Sequence, residues 1–84
     1  MRPPVNRSDM KDFYRRLAQA FYRSDKTIHQ FAKDIGKSEK TVNMYLMGRS
    51  TPDAQVLRRI CDTLDVSADW LVLGDERRSP KWWI

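Results

Sequence analysis

Residues 27–48 read TIHQFAKDIGKSEKTVNMYLMG, and this stretch decides how the chain folds. Thr27 followed three residues on by Gln30 is the pattern in which a hydroxyl and an amide close the first turn of a helix reciprocally. Ile28, Phe31, Ala32 and Ile35 then recur at three- and four-residue steps, so one face of that short helix is apolar. Gly36 ends it, because glycine enters the left-handed conformation without steric cost. Ser38 is placed to cap a second helix over about 39–47, with Val42, Tyr45 and Leu46 inward and Glu39, Lys40, Asn43 and Met44 on the other side. The break between the two helices is very tight. Phe31, Ile35, Val42 and Tyr45 are expected to fill the wedge between them, and Ala32 is small enough for the backbones to approach.

Before this unit, Pro3 and Pro4 forbid a helix start, whereas Ser8 and Asp9 offer an N-cap and a first-turn acid. Met10, Phe13, Tyr14, Leu17, Ala18 and Phe21 draw one apolar stripe, which predicts a helix over about 9–22 with Lys11, Arg15 and Arg16 pointing elsewhere. After the unit, Gly48 terminates the helix and a loop leads to an N-cap at Thr51 or Asp53. Val56, Leu57, Ile60, Cys61 and Leu64 give the cleanest helical periodicity of the chain. Ser67 caps a short fifth helix that runs to Leu73 and stops at Gly74. No alternating strand pattern and no repeat appears. The expected fold is all-α with five helices, as a domain over 8–74 between a basic arm, 1–7, and a tail, 75–84.

Length and composition set the limits within which these elements work. Eighty-four residues make one small domain, and 40% apolar with 32% charged residues fits a soluble globular chain. The apolar runs 70–73 and 82–84 fall far short of the ~20 residues of a membrane span, and the N-terminus lacks the apolar centre of a secretory signal, which places the chain inside the cell with no membrane partner. One cysteine and one histidine make neither an internal disulfide nor a four-ligand metal site. Cys61 lies on the inner stripe of its helix and reads as core, as do Phe13, Phe21, Phe31 and Tyr45. No carboxylate pair, nucleophile with a base, or phosphate-cradling glycine loop points to an enzyme, and no cofactor, metal or small-molecule ligand is implied.

The net charge is +5, and it is unevenly spread. Residues 1–51 carry eleven Lys and Arg against five Asp and Glu, whereas residues 52–84 carry five against six. A basic half next to the tight two-helix unit favours a polyanionic partner.

Together, residues 27–48, Pro52 and the helices through Leu73 resemble the lambda-repressor and Cro family of phage and bacterial transcriptional regulators. The resemblance covers about 8–74, and Ser67-Ala68-Asp69-Trp70-Leu71 shortly before a glycine is similar to the end of that domain in phage repressors. It implies a five-helix lambda-repressor-like DNA-binding domain with a helix-turn-helix, whose third helix enters the major groove while the second lies across the backbone. Ser38, Glu39, Lys40 and Asn43 match the positions that face base edges in relatives. Lys40 can donate to guanine and Asn43 can pair with adenine; Glu39 either accepts from cytosine or interacts with the positive end of its own helix. Thr41 matches a contact to a base methyl or a phosphate, and Thr27, His29, Lys37, Arg49 and Ser50 match phosphate contacts. Two positions depart from the family pattern. Ile28 replaces a glutamine that touches phosphate in many relatives, and Lys37 stands where the motif is usually apolar.

The function implied is a sequence-specific transcriptional regulator, a phage-type repressor or Cro-like protein in the cytoplasm, bound as a homodimer to a pseudo-palindromic double-stranded operator. Relatives often dimerise through the fifth helix or beyond, which brings in Trp70, Leu73 and the tail. Trp82 and Trp83, with Ile84, either fold back on their own domain, meet a second subunit, or begin a linker in a longer parent; the second subunit is preferred. Arg2 and Arg7 either reach the DNA from a basic arm or belong to a frayed terminus. The rival class is a protein-interaction subunit, an antitoxin or antirepressor on the same scaffold. An RNA-binding module ranks third, because the aromatics that would stack on bases are spent in the core.

Overall fold

The computed structural model describes residues 7–83, with side chains from Lys11 onward. Five helices follow one another, α1 (Arg7–Arg23), α2 (Ile28–Ile35), α3 (Glu39–Leu46), α4 (Ala54–Leu64) and α5 (Ala68–Leu73), with a single 3-10 turn at Glu76–Arg78. There is no strand among the described residues. α2 packs on α3 and α4, α1 on α3 and α5, and α4 on α5. Leu17, Phe31, Ile35, Val42, Ile60 and Leu71 are fully buried where these helices meet.

Short-range chemistry sets most helix ends. The Thr27 hydroxyl accepts from the Gln30 amide at 3.1 Å, and the Gln30 side chain accepts from the Thr27 amide at 3.3 Å. Asp53, not Thr51, caps α4, its carboxylate accepting from the Val56 amide at 2.9 Å. At the end of α2, Gly36 has φ +72°, its amide donates to Lys33 O, and the Lys37 amide donates to Ala32 O at 2.9 Å. These bonds satisfy carbonyls that the last turn would otherwise orphan. Gly36→Ala is expected to cost about 1–2 kcal/mol from the left-handed backbone alone. The added Cβ meets Arg59 Nη1 at 2.8 Å, but that is the end of a flexible side chain that can swing away. A lowered urea midpoint with unchanged helix content is the expected readout.

α1 differs from its expected start. It begins at Arg7, so Ser8, expected to precede it as the N-cap, lies with Asp9 in its first turn. The amides there lack intrahelical partners, so short polar residues are accommodated within the turn as well as before it. Arg16 also departs from expectation, since only 8% of it is exposed. Its Nε donates to Leu71 O at 2.9 Å and its Nη2 to Val72 O at 3.3 Å, so it serves the end of α5. Burial lowers its pKa, while the nearby Asp12 carboxylate raises it. A cation is well placed at a helix C-terminus, where carbonyls project without partners.

The segment after Gly74 is packed against the domain. Asp75 accepts from the Arg77 amide at 3.1 Å and forms a two-pronged pair with its guanidinium. Trp82 and Trp83 are half-buried against Trp70, edge-on, at centroid separations of 5.9 and 5.1 Å. Arg15 lies over the Trp83 ring at 5.5 Å and Arg23 over Trp82 at 5.7 Å, both from α1. Within the single chain these indoles rest on their own domain and keep part of their surface exposed. Trp70 is only 1% exposed beneath them, whereas Leu73 is 63% exposed. Ile84 and Arg2 lie outside the described residues, and so does the side chain of Arg7.

Candidate nucleic-acid interface

The two-helix unit is seated from beneath. Phe31, Ile35, Val42 and Tyr45 are all buried in the wedge, and Phe31 meets Phe21 of α1 at 5.1 Å. Burial, helped by Asp53, raises the Tyr45 pKa, so the phenol stays uncharged in the wedge at neutral pH. With that face fixed, the opposite side of α3 is turned to solvent. Lys40 and Asn43 are both exposed, and a spacing of three residues puts them side by side on the helix surface.

The remaining candidate base contacts have local partners. The Ser38 hydroxyl accepts from the Thr41 amide at 3.1 Å and donates to the Thr41 hydroxyl at 3.0 Å, so its proton is already engaged in capping α3. Glu39 reaches back across the turn to His29, with Oε2 at 3.2 Å from Nδ1. Both groups of that pair are more than half exposed, so its contribution to stability is small. Thr27 is likewise exposed while its hydroxyl caps α2. Lys37 and Arg49 are exposed, and Ser50 is half-buried.

The charge is less concentrated here than the sequence count suggests. Arg15 and Arg23 are stacked on the tail indoles, and Arg16 serves α5. Lys26 pairs with Asp34 at 3.2 Å. The exposed cations on α2, α3 and the turns that follow them are Lys33, Lys37, Lys40 and Arg49.

Sequence reasoning placed Tyr14 on the apolar stripe of α1 and missed its second role. Its hydroxyl lies 2.8 Å from Thr51 Oγ1 and donates to Ser50 O at 3.3 Å, so it holds the loop after α3. The ring also lies against Gly48, where a Cβ would stand 3.1 Å from it and where φ is +74°. The only available signal was a polar tip on an otherwise apolar stripe. Cys61 is buried and its thiol pKa is raised by burial and by Asp62, which suits a core residue. No group of three or more His, Cys, Asp or Glu that could hold a metal ion occurs among the described residues. No helix among them is long and apolar enough to cross a membrane.

A helix-turn-helix family model matches residues 23–71, which spans the end of α1, the whole two-helix unit, α4 and most of α5. No curated protein and no solved structure matches the chain. The matched residues include every wedge side chain, both caps and Gly36, the features that turn α3 outward. The chain therefore belongs to the lambda-repressor/Cro-like helix-turn-helix family of DNA-binding regulators.

Proposed function

We propose that the chain acts as a phage-type repressor or Cro-like protein, occupying a pseudo-palindromic operator as a dimer with α3 in the major groove. The observation that carries this reading is the exposed pair Lys40 and Asn43 on the outer side of a helix whose inner side is locked in the wedge. An ammonium and an amide at that spacing can read guanine and adenine edges on neighbouring base pairs. Lys37 and Arg49 flank them as phosphate contacts, with Thr27 and Ser50 beside the backbone. His29 and Glu39 engage one another in the isolated chain, so Glu39 reads a cytosine only when His29 turns away from it. Thr41 is held by Ser38 and supports the start of α3. In this reading the basic N-terminal residues add contacts, Arg2 from the arm and Arg7 from the start of α1. Leu73 and Val72 are the exposed large apolar residues of α5 available for a second subunit.

Selection from random duplexes tests the proposal, with a symmetric enriched motif as the expected result. Equal retention of all sequences would instead favour the antitoxin or antirepressor class, in which the scaffold grips a protein. Lys40→Ala and Asn43→Ala are each expected to relax choice at one or two base pairs by about 1–3 kcal/mol. Arg49→Ala is expected to weaken every duplex alike and to make the salt dependence shallower by about 0.9 in logarithmic slope for each subunit bound. Binding titrations over several salt concentrations separate the two patterns.

A further inference from the structure

We propose that Tyr14 is a positioning residue for DNA binding, which from α1 presets the loop 48–51 so that Arg49 and Ser50 meet a backbone phosphate without being ordered by it. This rests on the DNA-binding reading above and adds a residue that neither touches the groove nor belongs to the two-helix unit.

The loop is fixed at one end by its backbone and at the other by a side-chain cap. The Arg49 amide donates to Met44 O at 2.8 Å, and Asp53 closes the next helix. Between those points the chain has no regular structure, and Pro52 is buried. Tyr14 supplies the tie in the middle. The phenol oxygen is within hydrogen-bond distance of both Ser50 O and Thr51 Oγ1, and when its one proton goes to Ser50 O the Thr51 hydroxyl donates to it in turn. Both hydroxyls then act together on consecutive loop residues, 36 and 37 positions away from Tyr14 in sequence. The Tyr14 ring is itself braced edge-on by Phe13 at 5.2 Å and fits against the bare Cα of Gly48. The guanidinium of Arg49 thus hangs in solvent from a backbone held at three points. Preordering of this kind removes part of the entropy lost when a contact loop binds.

Tyr14→Phe keeps the ring and deletes only the hydroxyl. The expected result is wild-type helix content, binding weakened about 3- to 10-fold on every duplex alike, as for the net loss of one hydrogen bond, and a shallower salt slope. In an Arg49→Ala background the same change should cost clearly less than in the wild type, because one of the two groups being positioned is gone. Thr51→Val, which removes the partner hydroxyl from the loop side, should show the same coupling. In the isolated protein, NMR should show faster motion at the Arg49 and Ser50 amides in both single variants. Unchanged affinity and slope for Tyr14→Phe, or losses that add to that of Arg49→Ala, would overturn the inference while leaving DNA binding intact. Wild-type protein that binds no duplex at any salt concentration would overturn the DNA-binding reading and this inference together.

Discussion

Phe31→Ala is expected to destabilise the protein by about 3–5 kcal/mol, the range for truncating a buried aromatic, and to abolish binding to duplex DNA. Phe31 is wholly buried and joins three elements, lying on α2, lining the wedge towards α3 and meeting Phe21 of α1. Stability for a chain of this length is roughly 4–13 kcal/mol, so the loss removes a large share of it. The cavity would open beneath the two-helix unit, where α3 is seated at the angle that turns Lys40 and Asn43 outward. Phe31→Leu retains most of the apolar volume and should recover most of the stability. Urea unfolding followed by circular dichroism measures the first effect and anisotropy of a labelled duplex the second. A folded Phe31→Ala protein with unchanged affinity would show that the wedge does not set the angle of α3.

Trp70→Ala is expected to cost a similar amount, about 3–5 kcal/mol, with a different consequence. Trp70 is almost fully buried, and both tail indoles rest on its ring. Without it, Trp82 and Trp83 lose their common platform and retain only the guanidinium faces of Arg15 and Arg23. The tail should come loose before the rest unfolds. Trypsin should then cut faster after Arg77, Arg78 and Lys81, which are exposed but held near the domain in the wild type. Truncating Trp82 or Trp83 alone should cost less, since each is only half-buried. A Trp70→Ala protein with an unaltered urea midpoint and unaltered cleavage would contradict the packing described for this corner.

Periodicity and caps made most of the helical frame legible in the sequence. Thr27, Ser38, Asp53 and Ser67 all cap helices, Gly36 and Gly48 take the left-handed backbone, and the wedge is built from the residues its spacing implied. What escaped were features whose partners lie far away in sequence or whose residue type misleads. Arg16 was assigned outward because arginine usually is, yet α5 presents carbonyls 55 and 56 residues later that it can satisfy. The turns that follow α1 and α4 contain Asp25 and Asp65, both with positive φ, where a search for glycine finds nothing. Aspartate tolerates that backbone region better than most residues. The tail indoles announced that they needed cover without saying where, because their partners are set by tertiary folding. For the interface, Lys40 and Asn43 were legible from their place opposite the apolar face of α3. The mutual engagement of His29 with Glu39 and of Ser38 with Thr41 depends on side-chain reach that spacing alone does not give.

Every tryptophan of the chain stands in one corner, with centroid separations of 5.1 to 6.1 Å and all pairs edge-on. Indoles that close share their electronic excitations, so the indole part of the near-ultraviolet signal is a collective property of α5 and the tail. Neither α2 nor α3 contains a chromophore of this kind. Emission will therefore be blind to direct stacking on bases at the groove, and any spectral change on adding a duplex would mean that occupancy at α3 is felt at the opposite end of the sequence.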